Sequence, residues 1–299
     1  MTDRPSARDR QPVLSVVVLS TTGGESLERC LQALLDQTTP AEMEVAVVTR
    51  IHDSAARKAA ESKGVEWIEV ENSVAIPEMR VLAVNLTRGE TLALISDRYL
   101  PSPDWIEHLI AARSEGWQVV GSSLVNGSSN RASFYTEYAE FMPPLSAALE
   151  ASIIHCAGYE RGVLTDLSAD ELSGWEPRIA AALRVGDAKV RTLDQPVARY
   201  QKRQSNGQAL EQRFHHLRCC TAERIQDSSL VHRVLFALAA PILALRSLLG
   251  TLFEVWRRPG ERRHLLPALP MLVLLAVAGA IGELTAAVAG RGSSAAKVD

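Results

Sequence analysis

The chain has 299 residues, a formal net charge of −3 at pH 7 and 46% hydrophobic residues. That length suits one α/β domain with an appendage, and the absence of a basic excess argues against a nucleic-acid partner. The four cysteines form no C-x-x-C pair, which excludes the common zinc motifs and fits a reducing compartment.

The sequence divides into four stretches of different composition. Residues 1–11 are polar and lack the apolar core of a secretory signal, so we expect a disordered lead-in. Residues 12–225 have the composition of a soluble domain. Residues 230–290 hold two long apolar segments, which predict a membrane-associated helical region, and residues 291–299 form a short tail.

Strand and helix patterns alternate through the first hundred residues. Apolar runs predict strands over residues 13–20, 43–49, 65–70 and 90–97, and helical spacing predicts helices over residues 25–38, 53–64 and 76–89. This alternation predicts a Rossmann-like α/β domain with a mostly parallel sheet and helices on both faces. Ligands of such sheets bind beyond the carboxyl ends of the strands.

Asp97 follows the fourth predicted strand directly, and two prolines come soon after it. One interpretation is that its carboxylate faces a ligand at the strand end. The other is that Asp97 is a loop residue that caps the next helix. Position alone does not separate these two interpretations.

Four segments together resemble the family-2 glycosyltransferases, which have a GT-A fold. They are "LSVVVLSTTGGESLERCLQALLDQT", "PEMRVLAVNLTRGETLALISD", "PSPDWIEHL" and "GWEPRIAAALRVG". Their order and spacing cover roughly residues 12–225. The resemblance implies an inverting enzyme that takes a sugar from a nucleotide-sugar donor.

The resemblance implies a divalent metal, Mg²⁺ or Mn²⁺, at Asp97, which matches an acid of the family's metal- and nucleotide-binding motif. Asp97 is therefore both the predicted metal ligand and a predicted catalytic residue. Ser96 and Arg98 stand where a second acid is usual, and Tyr200 stands where relatives often carry a metal-binding histidine. A phenol with a pKa of about 10 is a poor magnesium ligand. The positive charge of Arg98 is expected to contact the donor and to replace part of the metal's role.

Glu176 matches the family's catalytic base, and the neighbouring Trp175 is expected to raise its pKa by lowering the local polarity. The alternative is a first-turn glutamate stabilised by the helix dipole, which Pro177 supports by marking a helix start. Asp170 and Glu171 are rival candidates for the same role.

The resemblance also implies donor and acceptor contacts. Arg80 matches an arginine near the diphosphate, with a solvated helix arginine as the alternative. Ser20 and Thr21 end the first strand, where the family holds the nucleobase. Gln212 and Arg213 belong to a Q-R-F segment that relatives carry near the acceptor.

Two other segments permit two interpretations each. His155 and Cys156 are either a nucleophile pair or part of a filled loop, and the filled loop is favoured because no orienting third group is visible. The aromatic segment Ser133–Pro144 either lines the acceptor site or packs over the sheet edge.

The two apolar segments are Val234–Phe253 and Met271–Gly290, each long enough to cross a hydrocarbon core of about 30 Å. The loop between them, "WRRPGERRH", holds four arginines, so the positive-inside rule places it in the cytoplasm. Because the preceding flank is equally basic, we expect the first segment to lie at the interface with Arg246 snorkelling, and the second to span. Two full spans, or a buried helical pair in a soluble protein, are the alternatives. Glu283 either binds a lipid headgroup or a partner helix, or reaches water.

Two functions remain. The first is a membrane glycosyltransferase whose catalytic domain faces the cytoplasm. Its partners would be a nucleotide-sugar donor and a membrane lipid, lipid-linked or envelope-glycan acceptor. The second is a degenerate relative that kept the fold and serves as a binding or scaffolding protein. A dinucleotide-binding oxidoreductase is a poor fit, because "STTGGES" is not a G-x-G-x-x-G turn.

Overall fold

A computed structural model describes residues 12–38, 43–126, 134–136, 138–139, 156–200, 205–257 and 262–298. Its strands are β1 Leu14–Ser20, β2 Met43–Thr49, β3 Glu66–Glu69, β4 Thr91–Ser96, β5 Tyr99–Pro101, β6 Val119–Asn126, β7 Cys156–Glu160 and β8 Val190–Tyr200. Its helices are α1 Gly24–Leu35, α2 Ser54–Glu61, α3 Ile76–Leu86, α4 Trp105–Ser114, α5 Arg161–Thr165, α6 Ala169–Leu172, α7 Glu176–Val185, α8 Asn206–Arg224, α9 Leu230–Trp256 and α10 Arg262–Ala289, followed by a 3-10 turn at Ser294–Lys297.

The eight strands form one sheet in the order β3-β2-β1-β4-β7-β6-β8-β5. The first four strands of the chain are parallel to one another, as the alternating pattern predicts. Strand β7 is antiparallel to both of its neighbours, and β8 is parallel to β6. The predicted α/β class is therefore confirmed, and of these eight strands β7 and β5 run opposite to the other six.

The strand sequences explain the two-faced packing. All seven residues of β1 are buried, and its side chains alternate between the two faces of the sheet. Val16 and Val18 join a cluster with residues of α1, α2 and α4, whereas Val17 and Leu19 join a second cluster with residues of α3, α5, α6 and α7. A sheet covered on both faces leaves its strand ends as the place for a ligand.

Gly89, in the turn between α3 and β4, lies directly against β1. A Cβ atom at this position would lie 2.5 Å from the backbone nitrogen of Ser15. The amide of Gly89 donates to Ser15 Oγ at 2.7 Å, and its carbonyl accepts from Arg161 Nε at 2.6 Å. Only glycine permits this approach, so the turn fixes where β4 enters the sheet.

The C-terminal helices continue the same body. Helix α8 packs along α10, and α10 packs along α9. After α10 the chain returns to the sheet, where the carbonyl of Val298 accepts from Arg50 Nη1 at 3.1 Å. Contacts between α8 and α10 therefore join the two predicted domains across the boundary at residues 225–230.

Gly89→Ala is expected to destabilise the fold by about 1–3 kcal/mol, because a methyl group would press on the backbone of β1. Denaturant unfolding of both proteins measures the change. Gly207→Ala is the matched control: its Cβ would meet only Ser205 Oγ, at 3.9 Å, in an exposed first helical turn. Equal losses in the two variants would contradict the close-approach argument.

Candidate functional site

The carboxyl ends of β1, β2 and β4 come together at one edge. Ser20 is level with Thr49, and Leu19 is level with Ser96. The backbone amide of Asp97 donates to Leu19 O at 3.3 Å, which continues the ladder by one residue. Asp97 therefore lies at the carboxyl ends of these parallel strands, as the sequence predicts. We call the end of the sheet formed by Ser20, Thr49 and Asp97 the ligand edge.

Asp97 is fully buried, and its carboxylate holds the turn that follows β1. Oxygen Oδ2 accepts from Ser20 Oγ at 2.7 Å, from the Thr22 amide at 3.0 Å and from the Gly23 amide at 2.9 Å. Gly23 precedes α1 with a φ of 66°, a conformation that favours glycine. The carboxylate thus binds the turn before α1, and not the helix that follows it in sequence.

The side chains around Asp97 offer few ligands for the implied metal. Asp97 directs Oδ2 to three donors, Ser96 offers only a hydroxyl, and the guanidinium of Arg98 repels a cation. Across the described ranges, no three His, Cys, Asp or Glu side chains converge in a way that could hold an ion. Oxygen Oδ2 is therefore a structural acceptor, and the expectation that Asp97 also ligates a divalent metal stays a prediction. The backbone of Tyr200 pairs with Tyr99, and the Tyr200 side chain lies outside the described part.

The groups around Asp97 at this edge are polar or positively charged. Ser20 is buried and its hydroxyl donates to Asp97, whereas its contact with a nucleobase stays a prediction. Thr21 and Arg98 are half-buried, and Thr22 is exposed. Thr21 Oγ1 has no hydrogen-bond partner among the described residues. With the positive end of the α1 dipole beside them, these groups suit an anion.

Arg80 is buried in α3, so it is not the solvated helix arginine of the alternative interpretation. Its Nη1 donates to Gly174 O at 2.9 Å and to Leu172 O at 3.3 Å. These carbonyls belong to the turn between α6 and α7. Arg80 therefore positions the segment that leads into Glu176, and its predicted contact with a diphosphate has no support in this geometry.

Glu176 is the first residue of α7, and its side chain lies outside the described part. Its neighbour Trp175 is buried, and the Trp175 amide donates to Glu223 Oε2 at 3.1 Å. Glu223, which lies 48 residues later on α8, gives no local signal in the sequence. Together with Arg80, it fixes where α7 begins.

The two rival acids serve other contacts. Asp170 pairs with Arg178. Glu171 Oε2 accepts from Ser168 N at 2.9 Å and from Ser168 Oγ at 2.6 Å, and these bonds hold the pKa of Glu171 below its usual range. A carboxylate with a lowered pKa is a weaker base, so Glu176 remains the candidate.

Cys156 begins β7 and is fully buried. Burial raises the pKa of its thiol to about 12, so it stays protonated and unreactive at neutral pH. This supports the filled-loop interpretation, although His155 lies outside the described residues.

The predicted acceptor residues lie on α8, next to the C-terminal helices. Gln212 Nε2 donates to Lys297 O at 3.1 Å. Arg213 lines a cavity of about 130 Å³ between α8, α9 and α10, together with Glu283. In the described part of the aromatic segment, Tyr138 is buried among residues of α8 and α10, and the Phe134 ring lies 4.9 Å from that of His264. This segment therefore packs on the C-terminal helices.

Comparisons with solved structures identify the fold. A mannosyltransferase from Pyrobaculum calidifontis, in complex with GDP-Man and Mn²⁺, matches with a TM-score of 0.59 and 16% identity over 92% of this chain and 88% of its own. Glucosyl-3-phosphoglycerate synthase from Mycobacterium tuberculosis, with Mn²⁺, UDP and phosphoglyceric acid, matches with a TM-score of 0.51 and 17% identity over 72% of this chain and 78% of its own. S. aureus TarS 1-349 with UDP-GlcNAc matches with a TM-score of 0.50 and 19% identity over 92% of this chain and 81% of its own.

The sequence itself matches no protein-family model and no curated protein. Identities of 15–19% establish the fold and not the activity. The chain has the GT-A fold, as the resemblance in its sequence implies.

Asp97→Asn is expected to lower the free energy of unfolding by about 2–4 kcal/mol, because a neutral amide oxygen accepts these three hydrogen bonds more weakly than a carboxylate oxygen does. Asp227→Asn, at an exposed loop position, is the control and should unfold with the wild type. Denaturant titration followed by far-UV circular dichroism measures both. Unchanged stability in Asp97→Asn would remove the structural role argued for this carboxylate.

Proposed function

We propose that the chain is a glycosyltransferase that takes a nucleotide-sugar donor at the carboxyl edge of β1, β2 and β4. The observation that carries this proposal is the GT-A fold together with an anion-suited surface at that edge. The mannosyltransferase, the synthase and TarS, which share the fold, were solved with GDP-Man, UDP and UDP-GlcNAc respectively. The same class of donor fits the charge and polarity of the edge.

The leaving diphosphate carries negative charge that must be neutralised as the bond to the sugar breaks. The mannosyltransferase and the synthase were solved with Mn²⁺, a cation that can neutralise such negative charge. In this chain Arg98, the hydroxyl of Thr21 and the α1 terminus are the groups that suit the anion, and Arg98 supplies the full positive charge. We propose that this charge takes the place of a resident metal.

Glu176 takes the proton of the acceptor hydroxyl. The acceptor oxygen then attacks the anomeric carbon from the side opposite the diphosphate, the bond to the diphosphate breaks, and the sugar is inverted. The positions of Arg80 and Glu223 support this role, because both fix the start of α7 without using the Glu176 carboxylate.

The acceptor is proposed to be lipid-linked or an envelope glycan at a membrane, with the sheet domain on the cytoplasmic side. Two helices have the length and composition of candidate membrane segments, with mean hydropathies of 1.9 and 2.3. An acceptor delivered at a bilayer would reach the Arg213 cavity beside these helices.

A binding or scaffolding protein with the same fold is the second candidate. Its support is the structural use of Asp97, together with Ser96 and Arg98 in place of acids. Such a protein would bind the nucleotide, or a related ligand, without turnover.

Arg98→Gln is expected to weaken UDP or GDP binding at least tenfold, because it removes the charge that meets the diphosphate. Isothermal titration of the full chain, with Mn²⁺ or with EDTA, measures this loss, and wild-type affinity should be the same in both buffers. Arg29→Gln, on the exposed face of α1, is the matched control. Binding that requires Mn²⁺ would refute the arginine role, and no binding of either nucleotide would refute a donor site.

Glu176→Gln is expected to reduce turnover by at least about 100-fold while leaving nucleotide affinity unchanged, because only proton removal is lost. Release of UDP or GDP from a panel of nucleotide sugars, with membrane extract as acceptor source, provides the assay. Glu171→Gln serves as control and should keep wild-type turnover. If wild-type protein binds nucleotide but releases none from any donor, the scaffolding candidate is favoured.

A further inference from the structure

Helix α10 packs against α8 at backbone distance. A Cβ atom on Gly282 would lie 2.4 Å from Phe214 O, and one on Gly279 would lie 2.6 Å from Leu217 Cδ1. Two glycines about one turn apart thus let α10 lie directly against the Phe214 backbone and the Leu217 side chain of α8.

Helix α8 cannot enter the hydrocarbon core of a bilayer. It carries five charged side chains in 19 residues: Glu211, Arg213, Arg218, Glu223 and Arg224. Near its start, Ala209 clusters with Leu272 of α10, and further along Arg218 Nε donates to Gly290 O at 2.8 Å. The two helices therefore run side by side along most of their length, so a membrane-crossing α10 would draw this polar helix in with it.

Residues from the 12–225 region contact α10 at its start and the chain just beyond its end. Near its start, the ring of His264 lies 5.6 Å from that of Tyr138, and Ala268 is buried in the same cluster. Beyond its end, His215 Nδ1 lies 2.9 Å from Ser294 Oγ, and Arg50 holds the carbonyl of Val298. A helix of 28 residues that crossed a bilayer would place these two attachments on opposite faces.

Helix α9 carries an apolar face with a charge at its centre. Arg246 is exposed and lies within one turn of the middle of this 27-residue helix, which is the costliest place for a charge in a span. In a helix parallel to the surface, the same side chain reaches the headgroups. One exposed stripe at helical spacing contains Leu235, Leu238, Ile242, Leu245, Leu249 and Phe253.

Helix α10 adds a second exposed stripe at helical spacing, formed by Val273, Val277, Ile281, Leu284 and Val288. Among the described residues outside α9 and α10, the large exposed hydrophobic side chains are Val13, Leu86 and Val185 alone. An apolar surface concentrated on two helices, with arginines at the ends and centre of α9, matches an anionic lipid surface in both polarity and charge.

We propose that α9 and α10 form a monotopic foot that lies parallel to the bilayer, with both apolar stripes in the interface and neither helix crossing. Arg233, Arg246 and Arg257 reach the phosphates of anionic lipids. This departs from the sequence expectation that the second segment spans. The proposal does not depend on glycosyl transfer, because it follows from helix packing and exposure.

Single cysteines in the full chain test the topology. The four native cysteines are buried and give little background. Glu61→Cys marks the sheet domain, Arg257→Cys marks the end of α9, and Ser293→Cys marks the tail, all at exposed positions. Sealed membrane vesicles of known orientation are treated with a membrane-impermeant maleimide.

All three positions are expected to be labelled from the same face. Labelling of Arg257→Cys from the opposite face to Glu61→Cys would show that α9 crosses, and labelling of Ser293→Cys from that opposite face would show that α10 crosses. Either result overturns the proposal. Nucleotide binding is measured on the same samples. It tests the proposed donor site independently, so that failure of the topology proposal can be distinguished from failure of the proposed function.

Vesicle binding tests the lipid contact. The purified full chain is expected to sediment with vesicles of phosphatidylcholine and phosphatidylglycerol, and Arg246→Gln should weaken this binding about fivefold. Arg29→Gln, remote from the foot, is the control and should bind as the wild type does. Failure to sediment with any vesicle, or self-association through the same stripes in its place, would overturn the lipid assignment.

Discussion

The buried carboxylate of Asp97 is the interaction on which the ligand edge depends. One oxygen gathers the hydroxyl of Ser20 and the amides of Thr22 and Gly23, and so ties the end of β4 to the turn between β1 and α1. A buried charge is tolerated only where it is satisfied by hydrogen bonds. Because two of these donors are backbone amides next to a helix N-terminus, the turn and the charge stabilise each other.

That use of Asp97 changes the electrostatics of the edge. A carboxylate whose Oδ2 accepts three hydrogen bonds from its own chain has less capacity left for a hard cation. The side chain that follows it, Arg98, is a cation of fixed charge, which suits an anionic diphosphate directly. In the proposed function, the same fold serves the same class of ligand with Arg98 as the source of positive charge.

The sequence alone predicts the features of the fold that depend on the local pattern of apolar and polar residues. Alternating apolar runs and helical spacing predict the parallel half of the sheet, because burial on both faces imposes that composition. The antiparallel β7 and the roles of Arg80 and Glu223 could not be predicted in this way. Each depends on contacts between residues far apart in the chain, such as Glu223 with Trp175, which leave no mark on spacing. Membrane topology could not be predicted from the sequence either, because hydropathy indicates the length of the apolar segment in α10 and not the packing of α10 on α8.

In the proposed foot, the packing of α10 on α8 would also fix the position of the ligand edge relative to the bilayer. Helix α8 holds Glu223, which positions α7, and the chain after α10 ends on Arg50, at the tip of β2. A foot joined to the edge by packed helices keeps the height of that edge above the bilayer constant, whereas a flexible linker would let it vary. Transfer to an acceptor at the surface requires reacting atoms to meet at about 3 Å, so a fixed height removes part of the entropic cost of bringing them together.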